Sequence, residues 1–349
     1  MDHLGQQEMT TNKINRIAVL TSGGDAPGMN AAIRAIVLAS HYSGIQPLGY
    51  HHGFNGLLEQ EYRYLGTEDV YNIIQRGGTI LKSARCQPFT TPEGARLAAS
   101  NLNQAKVDGL IIIGGDGSFH GAEHLSDYWD GNIVGLPGTI DNDINGTDAT
   151  IGYYTAIDTA LESIDKVRDT ADAFERIFLI EVMGRHAGFI GLSAAVCSGA
   201  EQVLLPELYP DAPPELDDLA EHIQRAQKIR GKCSYIMVMS ENLWPGGATD
   251  LANQLKARTG IECRPVILGH VQRGGSPVSL DRMLASKLGA YAVEALLAGK
   301  TGIMIGERNQ QLVEVPFQQS WNKPKALDPY LVKIQRQVFD LVKNENNTD

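Results

Sequence analysis

At 349 residues the chain is long for one average domain and short for three, so two lobes are expected. A formal net charge of −11 argues against a nucleic-acid partner, which needs a basic face to meet a phosphate backbone. Hydrophobic residues at 43%, charged residues at 20% and 37 glycines fit a soluble α/β protein with many tight turns.

Residues 1–15 are polar and mixed in charge, unlike a signal peptide, and read as a flexible N-terminal extension. No apolar run approaches the roughly 20 residues that span a bilayer. The four cysteines, Cys86, Cys197, Cys233 and Cys263, are widely spaced, with no Cys-x-x-Cys pair and no histidine at zinc spacing. They read as reduced thiols, and the protein as cytoplasmic.

From residue 16 onward the pattern is strand, glycine turn, helix, repeated. An apolar run at 16–20 ends in Gly23-Gly24-Asp25-Ala26-Pro27-Gly28. Met29, Ala32, Ile33, Ile36 and Val37 then trace one stripe of a helix that stops near Gly44. Residues 110–113 form a fully apolar strand before a second turn, Gly114-Gly115-Asp116-Gly117-Ser118. A third strand, 133–136, leads to Pro137-Gly138-Thr139-Ile140-Asp141-Asn142-Asp143. Residues 177–182 run into Met183-Gly184-Arg185-His186, and 235–239 end at Ser240-Glu241. Continuous apolar strands alternating with helices imply an α/β fold of two lobes, each a mostly parallel sheet covered by helices on both faces.

The chemistry concentrates at strand ends, where an open α/β sheet places its ligands. In an extended segment Asp141 and Asp143 would project to one side, a costly arrangement unless a cation, a proton or a reacting hydroxyl lies between them. Asp116 adds a third carboxylate between glycines, and Gly117 leaves space beside it. The turn at 23–28 lacks the Walker Gly-Lys-Ser/Thr ending and the Gly-x-Gly-x-x-Gly spacing. It serves either as an ordinary strand-to-helix turn or as a backbone cradle for phosphate at a helix N-terminus. Arg85, Arg185 and Arg273 stand in turns, where an arginine can grip a phosphate with two donors. His270, close to Arg273, suits a terminal phosphate or is structural. His186 reads as support for Arg185. Together these residues suggest metal-assisted phosphoryl transfer.

Several long segments in order resemble the ATP-dependent 6-phosphofructokinases of the bacterial homotetrameric type. They are 23–34, 76–79, 114–118, 137–143, 181–185 and 268–277, spread over nearly the whole chain. The resemblance implies transfer of the ATP γ-phosphate to the 1-hydroxyl of fructose 6-phosphate, giving fructose 1,6-bisphosphate and ADP, with Mg²⁺. It makes Asp141 the general base, with Thr139 and Asp143 beside it, and gives Asp116 the metal, directly or through water. Gly24, Arg85, Gly115, Gly117 and Ser118 would line the nucleotide phosphates, and Arg185 would stabilise the phosphoryl group in flight. Met183 and Glu241 would hold the sugar, and His270 and Arg273 its 6-phosphate, joined by Arg176 and Arg264 from a neighbouring subunit of a homotetramer. An effector set between subunits would include Arg34, Arg168, Glu201, Arg230 and Lys232, whereas Leu38 and Thr67 stand where better-known relatives carry arginine. Cys86 also departs from the family, in which an aromatic residue often flanks the nucleotide there. The implied lobes are 16–151 plus about 272–323 for ATP, and 152–271 plus about 324–349 for the sugar phosphate.

Rival readings are a pyrophosphate-dependent enzyme of the same fold, a catalytically silent regulatory subunit, and a dinucleotide-binding dehydrogenase. The first carries an acid where Gly117 stands and a lysine where Gly138 stands. The second conflicts with intact Asp116, Asp141, Arg185 and Arg273. The third lacks its glycine fingerprint.

Overall fold

The computed structural model describes residues 14–174, 176–230 and 234–338. Most of the expected N-terminal extension, Cys233, Lys232 and the side chain of Arg230 lie outside the described residues.

Two sheets organise the chain. The larger combines β1 (Arg16–Ser22), β2 (Gln46–Tyr50), β3 (Tyr62–Tyr64), β4 (Gly109–Gly114), β5 (Asn132–Pro137), β10 (Ile303–Arg308) and β11 (Gln311–Pro316). Its order is β11-β10-β5-β4-β1-β2-β3, and only the edge pairs β10–β11 and β2–β3 are antiparallel. The smaller holds β6 (Ile177–Val182), β7 (Gln202–Leu204), β8 (Tyr235–Ser240) and β9 (Cys263–Ile267) in the order β7-β8-β6-β9, all parallel.

The apolar runs explain why both sheets are covered twice. Strand residues alternate between faces, so a run without polar gaps must bury both. Ile17, Val19, Ile111 and Ile113 join one core with α1 (Met29–Tyr42) and α9 (Ser279–Leu297). Ala18, Leu20, Leu110 and Ile112 join another with α3 (Pro92–Gln104) and α4 (Asp116–Ser126). In the smaller sheet Phe178, Ile180 and Val182 face α5 (Tyr153–Phe174) and α6 (Phe189–Ser198). Ile177 and Leu179 face α7 (Leu216–Arg230) and α8 (Gly247–Thr259). Each fully buried Ile, Leu or Val contributes roughly 1.5–3 kcal/mol of transfer free energy.

The first of these cores is continuous between the lobes, because it includes both Val19 and Ile180. Asp281, fully buried near the start of α9, reinforces the join. It accepts the Gly152 N–H at 2.9 Å, the Thr155 N–H at 2.7 Å and the Thr155 hydroxyl at 2.6 Å. The two N–H groups are orphan donors at the start of α5, which an acid stabilises.

Strand order places the site. The chain passes from β1 outward to β2, then returns to β4 on the other side of β1. Ser22 pairs with Gly114 and Gly114 with Pro137, so three turns leave the sheet side by side at this switch point.

Candidate active site

The turn after β1 carries Gly23 and Gly24, both exposed, and closes through Gly28 at φ 111°. That left-handed conformation suits glycine and starts α1 without a side-chain cap. The turn after β4 makes Gly115 the cap of α4 and Asp116 its first residue. Backbone N–H groups at such a helix start attract anions. Around Gly117, no atom lies within 4 Å of where a Cβ would stand. Gly138 differs: a Cβ there would meet Ile113 Cγ2 at 2.9 Å and Met29 Cε at 3.0 Å. The expectation of open space therefore holds at 117, while 138 is closed by packing. Ser118 is buried, its hydroxyl against Gly114 and Gly23. Arg85 is exposed at the rim, and Asn55 donates to its carbonyl oxygen at 3.4 Å.

Asp116 Oδ1 is buried and makes no hydrogen bond, although His120 Nε2 stands 3.3 Å away. The His120 ring rests on Trp321 with centroids 4.0 Å apart. Beyond it Phe54 and Phe89 stack at 4.1 Å, with Cys86 packed against their core. Both rings are buried, so they pack the core beside Cys86 rather than present a face to a nucleotide.

The segment holding Asp141 and Asp143 is not extended, as the alternation argument assumed. Asn142 takes φ 54°, so a left-handed turn sets the two acids. Its side chain fixes that turn. Asn142 Oδ1 accepts the Thr150 N–H at 3.1 Å, and Nδ2 donates to Asp148 O at 3.3 Å. The Thr139 hydroxyl accepts the Asp141 N–H at 3.2 Å, while the Thr150 hydroxyl holds the Thr139 carbonyl. Asp141 is 7% exposed, and its Oδ1 has no hydrogen-bond partner. Burial pushes its carboxyl up to about 6, and the charges of Asp143 and Glu241 add to the shift. Arg273 and Arg185 oppose it. Asp143 is raised too, by burial first and then by Asp116, against Arg185 and Lys325.

The facing side of the site comes from the smaller sheet. After β6, Met183 donates its N–H to Gln272 Oε1 at 2.8 Å. Arg185 follows at φ 59° and donates its N–H to Glu241 Oε1 at 2.8 Å. Asn242 Nδ2 holds the Arg185 carbonyl at 3.1 Å. A cavity of about 210 Å³ opens beside Arg185, His186, Glu241 and the loop at 209–213. Arg273 reaches across to the other lobe, where its Nη1 donates to Asp25 O at 3.2 Å. A Cβ on Gly24 would lie 2.5 Å from that same nitrogen, so the guanidinium covers the first glycine turn. His270 is exposed in the short turn Gly269–Arg273.

The structure thus gathers Asp116, Asp141, Asp143, Thr139, Arg185, Glu241, Met183 and Arg273. Arg176 and Arg264 stand elsewhere, at the opposite end of β6 and β9, where Arg264 pairs with Glu262 at 2.9 Å. Arg168 bonds the Ser198 and Gly199 carbonyls and faces Glu201 at 3.6 Å. Arg34 lies on α1, its Nε buried without a hydrogen bond. Three residues escaped the sequence reading. Asn142 and Gln272 lay inside recognised motifs, between more conspicuous neighbours. Lys325, which bonds Asn142, lay in a polar stretch with no motif.

The family described as Phosphofructokinase matches residues 16–296. The chain belongs to the phosphofructokinase family. It is 48% identical over 323 residues to the ATP-dependent 6-phosphofructokinase 1 of Thermus thermophilus, covering 93% of this chain and 99% of that one. Against the ATP-dependent 6-phosphofructokinase of Brevibacillus brevis it is 46% identical, again covering 93% and 99%. Among solved structures, phosphofructokinase from Saccharomyces cerevisiae superposes with a TM-score of 0.79 at 35% identity, covering 95% of this chain and 47% of that one. A pyrophosphate-dependent phosphofructokinase from Marinobacter aquaeolei shares the fold, with a TM-score of 0.79 at 23% identity, covering 91% of this chain and 86% of that one. The two-lobed α/β fold is thus shared with solved phosphofructokinases, one of them pyrophosphate-dependent.

Proposed function

We propose that the chain transfers the γ-phosphate of ATP to the 1-hydroxyl of fructose 6-phosphate, giving fructose 1,6-bisphosphate and ADP. The observation that carries this reading is Asp141. It is a buried carboxylate with an unpartnered oxygen, between a glycine turn at a helix start and two arginines. A carboxylate raised to about 6 is still ionised at neutral pH and is a stronger base than an ordinary one. It takes the proton of the attacking hydroxyl. Arg185 meets the charge on the transferring group, and phosphoryl transfer needs such neutralisation and in-line placement more than covalent chemistry.

A divalent cation, Mg²⁺, fits the donor set. Asp116 Oδ1 is a buried acceptor without a hydrogen bond, and no cluster of three or more His, Cys, Asp or Glu that could hold a metal occurs among the described residues. Asp116 would therefore hold the ion together with water and ATP oxygens rather than in a protein cage. When bound, the ion supplies charge neutralisation of the phosphates. Thr139 and Asp143 shape the pocket around the base. Gly24, Arg85, Gly115, Gly117 and Ser118 receive the nucleotide, and Met183, Glu241, His270 and Arg273 receive the sugar phosphate. The larger sheet, residues 16–151 plus about 272–323, forms the ATP lobe, and 152–271 plus about 324–349 the sugar lobe. Arg176 and Arg264 complete the 6-phosphate site of a neighbouring subunit in a cytoplasmic homotetramer. Among the described residues no helix is long and apolar enough to cross a membrane.

The test is a coupled assay of the purified protein with fructose 6-phosphate, Mg²⁺ and either ATP or pyrophosphate. Turnover with ATP that falls roughly 10²–10⁴-fold in Asp141→Asn supports the assignment. Efficient turnover of pyrophosphate, or a normal kcat in that variant, defeats it.

A further inference from the structure

We propose that Lys325 is a positioning residue for the transfer, an ammonium that ties the Asp141–Asp143 turn to the segment following Arg185. The proposal rests on Asp141 being the base. Lys325 comes from the polar stretch after Trp321, far in sequence from both turns. Its Nζ donates to Asn142 Oδ1 at 2.7 Å and to the Asp148 carbonyl at 3.0 Å. The same Nζ lies 5.2 Å from the ring centroid of Phe189, which opens α6 four residues after Arg185. Three partners on two separate elements are not the surroundings of a solvated surface lysine.

Asn142 explains what this contact does. It is 3% exposed and left-handed, and it separates the two acids. Its Nδ2 already uses Asp148 O, and its Oδ1 already accepts from Thr150. Lys325 bonds both of those oxygens, so the ammonium closes a ring around the side chain that sets the directions of Asp141 and Asp143. The aromatic face of Phe189 completes a cation–π seat. Burial lowers the lysine to about 8, with Arg308 acting the same way and Asp148 and Asp143 opposing, so it remains a cation at neutral pH. A cation here also counters Asp143, the acid that most raises Asp141 after burial itself.

A misplaced base slows the chemical step more than it weakens nucleotide binding. Full-length Lys325→Met, Lys325→Arg, Asp141→Asn and the Lys325→Met/Asp141→Asn double variant are compared for kcat, the KM of each substrate and melting temperature. We expect Lys325→Met to lose at least tenfold in kcat while its KM for ATP stays within twofold. Lys325→Arg should recover to within threefold of the parent. In the Asp141→Asn background the methionine change should cost less than threefold, because the base it positions is gone. Should Lys325→Met fail to fold, Lys325→Gln, neutral and one atom too short to place a donor where Nζ stands, gives the same readout. A kcat within twofold of the parent, or an equal tenfold loss in both backgrounds, overturns the role of Lys325 alone. Near-normal kcat in Asp141→Asn overturns the base assignment and this proposal with it.

Discussion

Glu241 clamps the turn of Arg185: one carboxylate oxygen accepts the Arg185 N–H at 2.8 Å and also stands 3.3 Å from the Gly184 nitrogen. Arg185 is left-handed there, a conformation that an arginine adopts only where its surroundings hold it. Glu241→Ala should therefore lower kcat and raise the KM for fructose 6-phosphate together, with the KM for ATP little changed. A charge-assisted hydrogen bond is worth roughly 1.5–3 kcal/mol, so a loss of ten- to hundredfold in kcat/KM for the sugar is expected. Steady-state kinetics on both substrates check it, and a change confined to ATP would contradict the clamp.

Activity should fall as pH drops through about 6. Asp141 is raised to that value by burial, then by Asp143, and a general base acts only when deprotonated. The base is half ionised near pH 6, increasingly available above it and lost well below it, so kcat/KM for fructose 6-phosphate should show an acid limb near pH 6. An ordinary exposed aspartate would place the limb near pH 4. A pH series with enzyme stability controlled at each point decides between them.

Donor choice should depend on position 117. The open space beside its Cα would admit the rest of a nucleotide, and a carboxylate would fill it and repel phosphate. Gly117→Asp should lose ATP turnover with little loss of melting temperature, since no atom lies within 4 Å of the added Cβ. A variant that keeps the parent's KM and kcat for ATP would show that 117 does not select the donor.

The proposed sharing of sites between subunits predicts a dependence on assembly. Arg264 is exposed on the edge strand β9, remote from Asp141 within one chain. Charge reversal at Arg264 or Arg176, or dilution into monomers, should raise the KM for fructose 6-phosphate far more than that for ATP. Sedimentation combined with kinetics tests this, and a fully active monomer would refute it.

Allosteric control by ADP or phosphoenolpyruvate should be weak. Leu38 packs against the core between the lobes, and Thr67 is exposed and uncharged. If effectors bind as the resemblance implies, two absent cations would remove contacts worth roughly 1.5–3 kcal/mol each and weaken binding by two orders of magnitude or more. A sigmoidal fructose 6-phosphate curve made hyperbolic by sub-millimolar ADP would show the reverse.

The sheets were legible because their strands are apolar without interruption, as at 110–113 and 177–180, and a strand buried on both faces leaves that signature. The glycine turns and Asp141 were legible because small residues and acids at strand ends have few other uses. The left-handed Asn142 was not, since asparagine fits several turns and the choice depends on Thr150, eight residues on. Nor was the reach of Arg273 to Asp25, a contact between residues 248 positions apart. Lys325 was invisible for the same reason: its meaning lies in Asn142 and Phe189, and nothing in its own neighbourhood reports them.

The closed packing at Gly138 bears on how donor preference can change over time. Any side chain there must displace Ile113 or Met29, both fully buried, before it can do anything for a phosphate. A lysine at 138 alone should cost stability without a new activity, while an acid at 117 alone removes the old one. Accommodating a lysine at 138 requires the Ile113 and Met29 side chains to give way, whereas an acid at 117 meets no such resistance.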